Sequence, residues 1–324
     1  MNRKKAFAEG KLKSMGYSSS FLAFLLLALL LNVTNGRPLV PALFIFGDSV
    51  VDVGNNNHKL TVIKANFPPY GRDFENHYPT GRFCNGKLAT DFTADLLGFT
   101  SYPPAYLNLN TKGNNLLNGA NFASAASGYY EPTAKLYNAI PLSQQLQYYK
   151  ECQNKLVEAA GQSNASSIIT DAIYLSLHAL GARRIGVTSL PPIGCLPGAI
   201  TLFGFSSNEC VASLNSDAIS FNEKLNTTSN NLQNMLPGLN LVIFDIYQPL
   251  YDLVTKPSEN GFFEARKACC GTGLIETSIL CNRKSIGTCA NASEYVFWDS
   301  FHPSEAANKL LADSLIAAGI SLIS

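Results

Sequence analysis

Five short runs of almost uninterrupted apolar residues punctuate the chain: Ala42–Phe46 (ALFIF), Ala172–Leu175 (AIYL), Arg184–Val187 (RIGV), Leu241–Phe244 (LVIF) and Tyr295–Trp298 (YVFW). A strand with one wet face alternates apolar and polar positions. Continuous runs are what strands covered on both faces require. Between them lie longer periodic stretches: Lys87–Leu97 closing at Gly98, Leu142–Ala160 closing at Gly161, Val211–Leu236 and Pro303–Ala318. Glycine just past the last periodic residue and proline in a first turn are stop and start signals of helices. The alternation of strand and helix predicts a three-layer α/β/α fold around a parallel sheet. With no repeat, linker or low-complexity tract, residues 37–324 read as one domain.

One connection breaks the pattern. Only eight residues, Ser176 to Arg183, separate the second run from the third. Parallel neighbours need a crossover of a dozen or more residues, usually containing a helix. Either one of these runs is not a strand, or a crossover unit is absent between 175 and 184.

The N-terminus follows different rules. Arg3, Lys4, Lys5, Lys11 and Lys13 precede an apolar run from Phe21 to Leu31, and a small polar exit ends at Gly36. A basic start, a short apolar centre and a small-residue exit are the parts of a secretory signal peptide, here residues 1–36. The apolar run falls well short of the roughly 20 residues that span a bilayer, so no stable membrane anchor is expected. The expected location is extracellular, including the cell wall.

Composition narrows the partners. Lys and Arg number 24 against 23 Asp and Glu, which leaves no electrostatic footprint for nucleic acid or an anionic membrane. Hydrophobic residues make up 46% and charged ones 15%, enough apolar mass for a well-buried core. In a secreted chain the eight cysteines are disulfide candidates first. Cys195 and Cys210 flank one loop, and Cys269, Cys270, Cys281 and Cys289 crowd another. Zinc is the rival reading, but no histidine lies among those four and no paired C-x-x-C exists. Connectivity stays open. Sequons at Asn164, Asn226 and Asn291 fit export and should mark exposed turns.

Two segments carry candidate chemistry. The first strand runs into Gly47-Asp48-Ser49, then Val50-Val51-Asp52 and Gly54-Asn55-Asn56-Asn57. A serine just past the C-terminal end of a parallel strand sits where open α/β sheets bind ligands. On its own it reads equally well as a turn residue or helix cap. Near the other end, Asp299-Ser300-Phe301-His302 follows an apolar run and precedes Pro303. An Asp three residues before a His can hold one ring nitrogen and leave the other to take a serine proton. The alternative for His302 is a structural cap at the helix start. Of the other histidines, His58 and His178 lack a close acidic partner, and His77 lies in a Pro/Tyr/Gly-rich loop.

Five segments together resemble the plant GDSL esterase/lipases of the SGNH hydrolase superfamily: FIFGDSVVDVGNNN (44–57), GANFASAASG (119–128), LPPIGCLP (190–197), ACCGTG (268–273) and FWDSFHPSEAAN (297–308). They run in the family order across the mature chain. The resemblance implies a flavodoxin-like fold, hydrolysis of small-molecule acyl esters or lipids, no metal and no cofactor. It makes Ser49 the nucleophile, His302 the base and Asp299 its orienting acid. Backbone N–H groups of Ser49 and Ala125 are the expected oxyanion donors, Ala125 standing where the family has glycine. After a strand such as AIYL the family continues with a small-residue turn, a polar oxyanion ligand (usually Asn) and a helical segment. Here all three are missing, which selects the internal deletion over a misread strand. The alternative to a working esterase is therefore a catalytically impaired or dead secreted scaffold or binding protein. Tyr70, Tyr78, Tyr102, Tyr106, Tyr129 and Tyr130 crowd the expected cleft mouth but do not name the acyl group, and acyl transfer stays open beside hydrolysis.

Overall fold

The computed structural model describes residues 36–108, 111, 113–175, 182–205 and 207–323. Residues 1–35 of the expected signal peptide and His178 lie outside the described residues. Five strands, β1 (Leu43–Ile45), β2 (Gly119–Asn121), β3 (Ile173–Leu175), β4 (Arg184–Thr188) and β5 (Asn240–Phe244), form one sheet in the order β2-β1-β3-β4-β5. Every pairing is parallel. The helices are α1 (Ala89–Leu96), α2 (Glu131–Leu136), α3 (Leu142–Ala160), α4 (Gln162–Asp171), α5 (Pro197–Phe203), α6 (Ala212–Met235), α7 (Tyr247–Thr255) and α8 (Glu305–Ile323).

Successive strand residues point to opposite faces, and the core divides accordingly. Phe44, Phe46, Tyr174, Ile185 and Leu241 pack with Tyr149, Cys152 and Leu156 of α3 and Ala165 of α4. Leu43, Ile45, Ile173 and Phe244 pack on the other face with Ala94 of α1 and Leu322 of α8. The expected three-layer α/β/α architecture is what forms.

Tyr295–Trp298 is not a strand of the sheet. Val296 N–H donates to Glu264 O, and Trp298 N–H to His302 O. The carbonyls of Phe297 and Trp298 accept from Cys269 and Cys270 N–H. The segment is apolar because Val296 and Phe297 pack among Leu250, Leu253 and Leu311, and Trp298 among Tyr70, Phe83 and the cystine loop.

Between β3 and β4 the sheet is continuous, with Ile173 opposite Arg184 and Leu175 opposite Gly186. Residues 176–181 of the link lie outside the described ones. Right-handedness puts any crossover from β3 to β4 on the same face as α6, because both connections step the same way across the sheet. On α6 only Asn215, Ala218 and Ser229 of 24 residues are buried.

Disulfides join Cys195 to Cys210, Cys269 to Cys289 and Cys270 to Cys281, while Cys84 and Cys152 are buried thiols. All three sequon asparagines are exposed. Only Asn291 sits at a turn; Asn164 lies on α4 and Asn226 on α6, because polar residues also fill the outer faces of helices.

Candidate active site

β1 ends at Gly47, whose φ of +141° suits glycine and where a Cβ would come within 3.0 Å of Val51 Cγ2. Asp48 then builds the turn that lifts Ser49: its Oδ1 accepts Val50 N–H at 3.0 Å, and its carbonyl accepts Asp52 N–H at 3.0 Å. Gln145 of α3 clamps Gly47 from both sides, accepting its N–H at 3.0 Å and donating to its carbonyl at 2.9 Å. Buried positions 145, 149, 152 and 156 form one stripe of that helix, so a polar residue in an apolar stripe was the available signal for this clamp.

His302 Nε2 lies 2.7 Å from Ser49 Oγ, and His302 Nδ1 lies 2.6 Å from Asp299 Oδ1. Asp299 is fully buried. Its Oδ1 also accepts the N–H groups of Phe301 and His302, and its Oδ2 accepts the hydroxyls of Tyr70 at 2.7 Å and Thr277 at 3.0 Å. With the carboxylate thus surrounded by donors, Nδ1 carries the ring proton and Nε2 is the acceptor facing Ser49. Tyr70 in turn accepts Ser278 N–H at 2.7 Å. Tyr70, expected from the sequence at the cleft mouth, is buried behind Asp299.

The alanine- and serine-rich segment after β2 is stitched to the Gly47–Asn56 turn. Ser124 N–H donates to Gly47 O, Asn55 Nδ2 to the carbonyls of Asn121 and Ala123, and Asn56 Nδ2 to Ala125 O. Ala125 does not offer a free N–H. It donates to Asp52 Oδ2 at 2.9 Å and is fully buried. The next residue, Ala126, has the left-handed φ of +66° that glycine favours, and it is partly exposed. Among the described residues no acceptor pairs with the N–H of Ala126 or of Ser49. The one-residue offset arises because the orientation of each peptide plane, not sequence position, decides which N–H is free.

Asp52 is fully buried and accepts the N–H groups of Gly54, Asn55 and Ala125. Burial pushes its carboxyl from 3.8 up to about 6, against the lowering effect of those three donors. The folded value exceeds the unfolded one, so folding takes up a proton between about pH 4 and 6. Stability from this group is therefore present below pH 4 and declines as pH rises through 6, by about 3 kcal/mol. Urea unfolding of wild type and Asp52→Asn across pH 4–8 should show that difference shrinking with pH and levelling above 6. A pH-independent difference would contradict the assigned titration.

The GDSL-like Lipase/Acylhydrolase family matches residues 43–315. The chain is 61% identical to GDSL esterase/lipase At5g22810 of Arabidopsis thaliana, over 90% of this chain and 92% of that protein. It is 54% identical to GDSL esterase/lipase APG of the same plant, over 94% and 99%. The chain belongs to this GDSL family. A hydrolase of the GDSL type is thereby established, acting on small-molecule esters or lipids as the family does.

The GDSL alignments also carry a length mismatch. That with At5g22810 extends over 335 positions, of which this chain fills 90% of 324 residues, about 292. About 43 positions of the relative thus have no counterpart here. The same count for APG, 349 positions against 94% of the chain, leaves about 44. Of the remaining histidines that are described, His58 is exposed and His77 is exposed with its Nδ1 on Arg72 O. No group of three or more His, Cys, Asp or Glu residues placed to hold a metal occurs among the described residues.

Proposed function

We propose that this GDSL hydrolase is a secreted carboxylic-ester hydrolase working through Ser49, His302 and Asp299. The observation that carries the reading is the continuous chain of short contacts from Ser49 Oγ through His302 to the buried Asp299. Ser49 Oγ attacks the ester carbonyl carbon while its proton passes to His302 Nε2. The N–H groups of Ser49 and Ala126 hold the oxyanion. As it collapses, the alcohol leaves with the proton from Nε2. Water, deprotonated by the same nitrogen, then releases the acid and restores Ser49. Secretion is supported by three disulfides, exposed sequons and the N-terminal pattern.

A second reading, a GDSL scaffold with impaired catalysis, is favoured by the 43 unmatched positions. We place them in the link between Leu175 and Arg184. A segment of that size supplies the crossover helix that the β3–β4 pairing lacks, and its absence accounts for the thin burial of α6. A fluorophosphonate probe separates the readings, since only an activated serine displaces its leaving group. Wild type should be labelled at Ser49, and Ser49→Ala should not. A folded wild-type protein that stays unlabelled would establish the impaired scaffold; equal labelling of both proteins would remove Ser49 from the mechanism.

A further inference from the structure

Residues 124–127 form a tight turn in which Ser127 N–H donates to Ser124 O at 2.9 Å. Of its two central residues only Ala126 has a positive φ, +66°. That combination is the type II form. Rotating the central peptide, Ala125 C=O and Ala126 N–H, by half a turn gives type I, in which both central φ are negative. Alanine is at ease in type I and strained in type II, by itself a preference of about 5- to 30-fold for the flipped form. The observed orientation therefore needs a holder. Asp52 fixes only the preceding peptide, accepting Ala125 N–H at 2.9 Å. The central one is held by Asn56, 2% exposed in the Gly54-Asn55-Asn56-Asn57 run. Its Nδ2 donates to Ala125 O at 3.0 Å and to Ile63 O at 3.0 Å, and its Oδ1 accepts the Ser124 hydroxyl at 2.6 Å. The C=O and N–H of a trans peptide point opposite ways, so the bond to Ala125 O also turns Ala126 N–H away from Asn56.

We infer that Asn56 is a positioning residue for catalysis: its amide holds the 125–126 peptide so that Ala126 N–H can serve as the second oxyanion donor. Without that bond the turn relaxes to type I, and Ala125 O, an acceptor, replaces a donor in the site. The catalytic consequence rests on the esterase reading; the hold on the turn does not. Losing one oxyanion donor sets the size of the effect, about 10²–10³-fold in kcat. Glycine at 126 has no Cβ to clash at φ +66° and removes the preference for the flipped turn. Ala126→Gly should thus repair the damage done by losing Asn56, which a merely structural role of Asn56 does not predict.

The test compares the full secreted wild type with Asn56→Leu, which keeps the volume but has no donor, with Asn56→Ala, which removes the donor without crowding, and with each combined with Ala126→Gly. Crystal structures read the turn. Rates on p-nitrophenyl acetate and its thiono analogue, with sulfur in place of the carbonyl oxygen, read the oxyanion site, because sulfur is a weak acceptor that gains little from N–H donors. Either Asn56 variant should show Ala126 at negative φ and a kcat about 10²-fold lower on the oxygen ester, with a much smaller loss on the thiono ester. Adding Ala126→Gly should return the turn to type II and recover fivefold or more, about the size of the strain removed. A general loss of folded protein would lower both esters equally and leave their ratio unmoved. A type II turn retained in whichever Asn56 variant folds, or an unmoved ester ratio there, would overturn the assignment. Because crystals read the turn without turnover, the two ideas fail separately. A turn that flips without Asn56 in a protein whose wild type hydrolyses neither ester would sink the esterase and keep the hold on the turn. Ser49-dependent hydrolysis indifferent to Asn56 would sink only the positioning role.

Discussion

Replacing Asp299 with asparagine is expected to lower kcat on p-nitrophenyl acetate by about four orders of magnitude while leaving the protein folded. Asparagine has the same shape, and its carbonyl can keep the three donors on Oδ1: two backbone N–H groups and His302 Nδ1. On the other side its amide meets two hydroxyls. That of Thr277 can turn to accept, but that of Tyr70 already accepts from Ser278 N–H. One strained contact of this kind costs about 1–3 kcal/mol, a few degrees in melting temperature. The rate loss has a different origin: the imidazolium formed as Ser49 attacks no longer faces a negative charge in a buried site. Paired measurement of kcat and thermal unfolding separates these effects. A folded variant retaining more than a tenth of the activity would mean that His302 does not depend on Asp299.

Building the crossover of At5g22810 into the link between Leu175 and Arg184 is expected to raise turnover about 10²–10³-fold. The present site has two unpaired backbone donors, and the family resemblance implies a polar side chain from the missing turn as a further one. Losing a single oxyanion donor in other hydrolases costs about 3–4 kcal/mol. The same insertion should steepen urea unfolding, because the slope follows the surface buried in the fold, and a helix restored beside α6 adds to it. A gain in slope without a gain in turnover would locate the missing segment correctly and deny it a catalytic part. No change in either would show that the short link is complete as it stands.

Much of this was written in local pattern. β1, β3, β4 and β5 announced themselves as apolar runs, and α3 ended at Gly161 as its sequence requires. Asp299 and His302 are three residues apart, so their contact is nearly a local property. β2 is another matter: Gly119-Ala120-Asn121 has no strand preference and is a strand only because Leu43–Ile45 lies beside it. Tyr295–Trp298 has the preference without the place, since its backbone partners lie in the cystine loop and at His302. α4 was missed because Gln162–Asp171 is polar except at Ala165, Ile168 and Ile169. Asp52 and Tyr70 stayed hidden for a common reason. Each acts on a residue far along the chain, 73 positions for Ala125 and 229 for Asp299, where no spacing rule reaches.

Ser49 and His302 stand 253 residues apart, one directly after the first strand and the other directly before the last helix. With the proposed triad, a chain emerging from its amino end carries its nucleophile through nearly the whole of synthesis without a base to arm it. Activity begins only when the final stretch docks, and no piece trimmed inside either end can retain it. On that triad the hydrolase is harmless while it is being made, and a single proteolytic cut that releases the last helix with His302 would silence it for good.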